Sequence, residues 1–290
     1  MFDDRRYLMQ TPLTLVTLLL KKVPSFPVEA ESINPENVTG KDVEEIKSLP
    51  LWCGNAQEVV GDYFDVEIEL DHENSEQPAQ LVLKGDLSRF KRLGQAMGAG
   101  EMIVWGSVGF HAGALMRGGT LEIKGNAGDW LGAHMEDGLI KVEGSAGDFV
   151  GAAYRGKNKG MTGGTILITG NAGQMLGARM RRGLIAIGGD CGDMPGFGML
   201  AGTVLVRGRA GIRAGAKMVR GTVILLQPQV LLPTFYYNCT CRLTTWSLMY
   251  KHLNQAGFFL PAPYQDLLFR RYSGDANEGG RGEILICHCS

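Results

Sequence analysis

A glycine pattern that returns six times in fixed register constrains this chain more than any other feature of its sequence. The pattern is Gly-x-x-Gly-x-x-x-Gly, and its first glycine recurs at steps of 19, 19, 26, 19 and 19 residues. The glycines are Gly106, Gly109, Gly113, Gly125, Gly128, Gly132, Gly144, Gly147, Gly151, Gly170, Gly173, Gly177, Gly189, Gly192, Gly196, Gly208, Gly211 and Gly215. Such a period is typical of a repeat protein in which each copy stacks on the next.

Each copy of the glycine pattern is preceded by a short apolar alternation. The positions four and two residues before the first glycine are apolar in every copy, as in Leu121 and Ile123. Charged residues such as Glu122 and Lys141 stand between them, so a period of two predicts a strand with one face inward. Glycine permits the tight bends that a coil of this length needs. The sequence therefore predicts an all-β fold, a parallel β-helix of about seven 19-residue coils with short α/β caps at both ends.

One further column follows the glycines. Three residues after the third glycine of each copy stand Met116, Met135, Tyr154, Met180, Met199 and Met218. We predict that this column fills one interior edge of the coils, because methionine adapts to irregular gaps. The step of 26 residues contains one insertion, which we place at Lys157–Gly163 and predict to be a loop that contacts a partner.

The flanks of the repeats predict three segments: an N-terminal strand and helix cap at 1–80, the β-helix at 81–227, and a C-terminal cap at 228–290. In the first cap, 41–49 is a helix starting at Thr39 or Gly40, 64–70 is a strand, and 71–80 is a polar loop. In the last, 243–253 has helical spacing and is predicted to cover the open end of the coils, followed by strands at 267–272 and 284–287.

Charge and cysteine content exclude several classes of function. A net charge of −1 gives no long-range attraction to nucleic acid or to an anionic membrane. The apolar run at 13–20 is shorter than the roughly 20 residues that span a bilayer. The six cysteines lack the spacing of a secreted disulfide framework, which favours a cytoplasmic location.

No catalytic constellation emerges from the sequence. Asp129 and Asp148 share one repeat position in neighbouring coils, but this position fits solvated turn residues better than a catalytic pair. The pairs Cys239/Cys241 and Cys287/Cys289 suggest zinc only weakly, because one intervening residue is tighter than the usual spacer. We therefore expect no catalytic residue, no metal site and no cofactor in this chain.

Basic residues gather late in the repeats. Arg179 and Lys217 share a repeat position two coils apart, roughly 10 Å. Together with Arg181 and Arg220 they form a candidate track for a polyanionic coenzyme tail or an acidic partner. An ordinary solvated face explains the same residues.

The repeat Gly-Asn-Ala-Gly-x-x-x-Gly-Ala-x-Met resembles the C subunit of formylmethanofuran dehydrogenase, which is similar to the C-terminal domain of glutamate synthase. The segments 40–47, 61–64, 92–97 and 154–164 also resemble that family. The resemblance implies a right-handed β-helix that holds the A, B and D subunits of the same complex together. It implies zinc in the A subunit, a methanofuran-like coenzyme, and molybdenum or tungsten with iron–sulfur centres only in the dehydrogenase form.

The tail of the chain looks more like the bacterial form of the family, a formyltransferase/hydrolase complex that releases formate. Two alternatives stay open. One is a stand-alone β-helix enzyme acting on an acidic polysaccharide, which would use an outer face such as that of Asp129 and Asp148. The other is a detached domain of the glutamate synthase type, against which the segments flanking the repeats argue.

Overall fold

The computed structural model describes residues 14–69, 78–261 and 264–288, so most of the predicted polar loop at 71–80 lies outside it. The strands are β1 Leu15–Leu20, β2 Val28–Glu29, β3 Pro50–Cys53, β4 Ala56–Val59, β5 Phe64–Glu69, β6 Gln80–Lys84, β7 Phe90–Lys91, β8 Glu101–Trp105, β9 Arg117–Ile123, β10 Asp137–Val142, β11 Thr165–Ile168, β12 Leu184–Ile187, β13 Thr203–Val206, β14 Thr222–Leu225, β15 Tyr236–Arg242, β16 Leu268–Gly274 and β17 Gly282–Cys287. The α-helices are α1 Pro35–Val38, α2 Val43–Lys47, α3 Val60–Tyr63 and α4 Thr244–Gln255. The described chain is mostly β, as predicted.

A 13-stranded sheet dominates the structure. Its strand order is β15-β16-β17-β14-β13-β12-β11-β10-β9-β8-β6-β1-β5. From β1 to β17 every neighbour pairs in parallel, with equivalent repeat positions opposite each other, as in Ile166 with Ile185 and Ile185 with Val204. The repeat period therefore sets the register of the sheet, as the alternation predicted.

A second column of contacts runs beside the sheet. Isolated parallel bridges join Leu87 to Val108, Ala127 and Ala146 in turn, and then Ala172 to Cys191 and Ala210. The side chains between this column and the sheet form the main buried core. Cys191 is buried there, and burial raises the pKa of its thiol to about 12, so it is a packing residue as predicted.

The glycines serve two physical purposes. The third glycine of each copy has a positive φ, such as 65° at Gly177, a conformation that a side chain disfavours. The first glycine of each copy lies against the backbone of the preceding copy, and a Cβ on Gly208 would lie 2.3 Å from the carbonyl oxygen of Gly189. Close backbone approach and positive φ are thus both built into one repeat.

The methionine column requires one correction. In the third copy the interior position is occupied by Met161, which is fully buried, and not by Tyr154, which is only half-buried on the outside. The backbone N–H of Met161 donates to Gly151, just as Met180 donates to Gly177. The inserted residues are therefore 154–160 rather than Lys157–Gly163, because the coil resumes at the next methionine that can fill the core.

The N-terminal region contributes a second sheet of four strands in the order β4-β3-β2-β7. Helix α2 begins after Asp42, whose carboxylate accepts from the N–H of Glu45 while Glu45 reaches back to the N–H of Asp42. The predicted start at Thr39 or Gly40 was therefore wrong by two to three residues. Strand β7 belongs to this sheet although it follows residue 80, so the boundary at that residue stays a prediction.

Helix α4 does not cover the open end of the stack, and that prediction was wrong. Its buried residues Trp246 and Leu253 pack in one cluster with the outward-facing side chains of β11–β14, namely Leu167, Ala186, Leu205 and Ile224. These positions are apolar, unlike Glu122 and Lys141 in earlier strands, so this part of the outer face must be covered. The stack instead continues through β17, β16 and β15.

Candidate functional site

A column of side chains stands at the corner after the second glycine of each repeat. Its members are His111, Trp130, Phe149, Met175, Met194 and Arg213. All six have positive φ between 55° and 63°, so each side chain leaves the backbone in the same direction. Because parallel strands lie about 4.8 Å apart, equivalent side chains must stack on one another.

The aromatic members of this column do stack. The rings of Trp130 and Phe149 lie 4.3 Å apart at 9° to each other, and those of His111 and Trp130 lie 6.3 Å apart at 19°. Shared repeat position was the signal in the sequence for this column, and the prediction missed it by considering charges and glycines alone. The result is an aromatic ladder on the outside of the stack.

The inserted residues fold against this ladder. The hydroxyl of Tyr154 lies 3.0 Å from Nδ1 of His111, and the backbone N–H of Tyr154 donates to Nε2 of His134 at 2.9 Å. The Tyr154 ring also packs on Trp130, with centroids 5.1 Å apart. His111 and His134, whose different repeat positions gave no reason to expect contact, are therefore joined through Tyr154.

Burial governs the protonation of these groups. It lowers the pKa of His111 and of His134, with the positive charges of Arg92 and Lys157 adding to the shift, and it raises the pKa of Tyr154. Both imidazoles are therefore neutral at pH 7. A neutral His134 can accept the Tyr154 N–H through Nε2, which fixes the start of the insert.

An open cleft of about 340 Å³ lies between the insert and the stack. We call it the insert cleft. It is lined by Trp130, Phe149, Ala153, Tyr154, Arg155, Gly156, Lys157, Met175, Ala178, Arg179 and Phe197. Arg179 anchors the insert by donating from Nη1 to the carbonyl of Lys157 at 2.8 Å.

The charge around the insert cleft has one sign. Residues 149–189 include six basic residues and no acidic one. Arg155, Lys157 and Arg179 are exposed at the cleft, and none of them takes part in an ion pair within the described part of the chain. The cleft therefore combines an aromatic floor with an uncompensated positive rim.

The four residues of the predicted basic track lie in different surroundings. Arg179 and Lys217 occupy the same corner position of their repeats, with Gly198 between them, but Lys217 lies next to Asp275, which accepts its backbone N–H. Arg181 and Arg220 differ by one position in the repeat. Arg220 instead lines a separate cavity of about 350 Å³ with Arg271, Arg281 and Glu283. A continuous track remains a proposal.

The candidate carboxylates have a structural use. Oδ1 of Asp129 accepts from the backbone N–H of Asp148 at 2.9 Å, and Oδ1 of Asp148 accepts from that of Gln174 at 2.9 Å. Asp193 does the same for Ile212. These carboxylates tie one repeat to the next, and each such bond contributes about 1 kcal/mol.

The cysteine pairs lie on neighbouring strands of the C-terminal sheet. Cys241 and Cys287 both pair with Phe269 from opposite sides, so one strand separates them. No group of three or more His, Cys, Asp or Glu residues that could hold a metal ion occurs within 14–69, 78–261 and 264–288. Cys289 lies outside the described residues. Across the same ranges, no helix has the length and apolar character needed to cross a membrane.

Comparison with known proteins gives consistent likenesses. No family model matches the chain. It is 40% identical over 99 residues to the C subunit of tungsten-containing formylmethanofuran dehydrogenase 2 from Methanothermobacter wolfeii, a match covering 34% of this chain and 36% of the relative. It is 39% identical over 96 residues to the C subunit of molybdenum-containing formylmethanofuran dehydrogenase 1 from Methanosarcina barkeri, covering 33% and 31%. The matched part thus spans about a third of these curated relatives.

One solved structure matches over nearly the whole chain. It is a chain of the formyltransferase/hydrolase complex from Methylorubrum extorquens, crystallised with methylofuran. The TM-score is 0.83 at 35% identity, covering 94% of this chain and 100% of the other. The repeat stack and this full-length likeness define the chain as one of the glycine-repeat β proteins that occur in complexes of several subunits. It belongs to the family of formylmethanofuran dehydrogenase C subunits.

Proposed function

We propose that the chain is a structural subunit of a complex that handles formyl groups carried by a methanofuran-like coenzyme. The observation that carries this proposal is the 35% identity over 100% of a chain in the complex crystallised with methylofuran. That likeness extends through the C-terminal region, whereas the likenesses to the tungsten- and molybdenum-containing dehydrogenases cover about a third of each chain. The bacterial formyltransferase/hydrolase form is therefore favoured, with release of formate.

We also propose that the repeat stack is a right-handed parallel β-helix of about seven coils. Two features support it: the in-register parallel pairing of the large sheet and the second column of parallel bridges at the same period. A rigid stack of this kind presents several long faces at once, which suits a subunit whose role is to hold others in place.

The division of labour within the complex follows from this assignment. The chain itself contributes no active site and no cofactor, since its stacked carboxylates are engaged in holding one repeat to the next. Zinc and the coenzyme belong to partner subunits of types A, B and D, and molybdenum or tungsten only to a dehydrogenase form. The complex works in the cytoplasm.

The test is co-purification of the affinity-tagged full chain from its native cells, with every recovered chain identified by mass. We expect an amidohydrolase-type subunit together with a formyltransferase, in fixed ratio to this chain. Recovery of a molybdenum or tungsten subunit would instead establish the dehydrogenase form. Recovery of the chain alone would contradict the structural role.

A further inference from the structure

The insert cleft has the composition of a protein-binding hot spot. Aromatic side chains, methionine and arginine are enriched at the cores of interfaces, and here Trp130, Phe149, Met175 and Arg179 line one cleft. Resting on the proposed function, we propose that the insert cleft docks an acidic segment of a partner subunit, one large apolar or aromatic side chain of which enters the cleft.

The charge argument fixes the character of the occupant. The 41 residues from 149 to 189 carry six positive charges and no negative one, although the chain as a whole has a net charge of −1. A surface so unlike the rest of the molecule attracts an acidic partner and repels a basic one. Carboxylates of the partner would reach Arg155 and Lys157 at the rim, where no side chain of the described chain competes for them.

The geometry favours a protein segment over a small molecule. The cleft is formed by an exposed insert lying across the outer ladder, and inserts of repeat proteins lie on the face that meets a partner. Small-molecule sites enclose most of their ligand. The insert is also held in place in advance, by Tyr154 with the two histidines and by Arg179 with the carbonyl of Lys157, so little ordering is lost on docking.

The first test is charge reversal in the assembled complex. The double variant Arg155→Glu with Lys157→Glu is compared with a matched control, Arg209→Glu with Arg270→Glu, which makes the same change of charge at exposed positions elsewhere. We expect recovery of one partner subunit to fall by about tenfold in the cleft variant and to stay at the wild-type level in the control. Arg179 is left intact so that the insert keeps its anchor, and the melting temperatures should agree within about 2 °C.

The second test locates the occupant. Lys157→benzoylphenylalanine, irradiated in the purified complex, should cross-link to one peptide of that partner, with several Asp or Glu residues beside a large apolar residue. Equal recovery in both double variants, no cross-link in an assembled complex, a non-acidic peptide, or a small glutamate-rich molecule in its place would each overturn the inference alone. Failure of the wild-type chain to recover any subunit would overturn the proposed function and the inference together.

Discussion

Replacing Gly208 by alanine is expected to destabilise the protein by at least about 3 kcal/mol. The new Cβ would lie 2.3 Å from the carbonyl oxygen of Gly189 and 2.4 Å from its carbonyl carbon. Both are backbone atoms of the neighbouring repeat, so relief requires the two repeats to separate. That separation would break the hydrogen bond from the Gly208 N–H to the same carbonyl. Equilibrium unfolding in urea, followed by tryptophan fluorescence, measures the loss.

The matched control for this prediction is Gly40→Ala. Gly40 has a φ of 73°, and a Cβ there would meet no atom within 4 Å, so only the backbone conformation is penalised. We expect a loss of about 1–2 kcal/mol. Equal losses at Gly40 and Gly208 would mean that close packing between repeats is not what requires glycine at the first position of the pattern.

Replacing Met161 by alanine is expected to destabilise the protein by about 2–5 kcal/mol, as much as Met180→Ala. Met161 is fully buried and occupies the interior column between Met135 and Met180. Its removal leaves a cavity that neighbouring repeats, fixed by the sheet register, cannot close. Urea unfolding of the two variants, each with the wild-type chain as reference, measures both losses.

The control within the insert is Lys159→Ala, an exposed residue whose loss should change stability by less than about 0.5 kcal/mol. If Met161→Ala behaved like Lys159→Ala, Met161 would belong to a loop and Tyr154 would fill the core, as the simple spacing of the sequence first indicated.

The repeat period and the alternation of apolar residues were sufficient to predict the strands and their parallel register. Each equivalent position repeats the same local requirement, so Ile166, Ile185 and Val204 are found opposite each other. The insertion was misplaced because counting residues from a glycine cannot distinguish Tyr154 from Met161. Only the need to fill the interior with an apolar side chain separates them.

The position of α4 could not be predicted from its own spacing, but the residues it covers carried a signal. The outward positions of the later strands, Leu167, Leu205 and Ile224, are apolar, whereas those of earlier strands are charged. The aromatic ladder was also present in the sequence as His111, Trp130 and Phe149 at one repeat position. The contact of Tyr154 with both histidines was not, because it depends on the path of the insert.

The most direct test of the structural role is turnover of formyl-coenzyme by three preparations: the isolated chain, its partner subunits freed of it, and the two recombined. The account predicts no turnover by the isolated chain, a reduced rate for the separated partners, and restoration on recombination with both the wild-type chain and Asp148→Asn. Formate release by the isolated chain, abolished in Asp148→Asn, would contradict it and make the stacked carboxylates an active site.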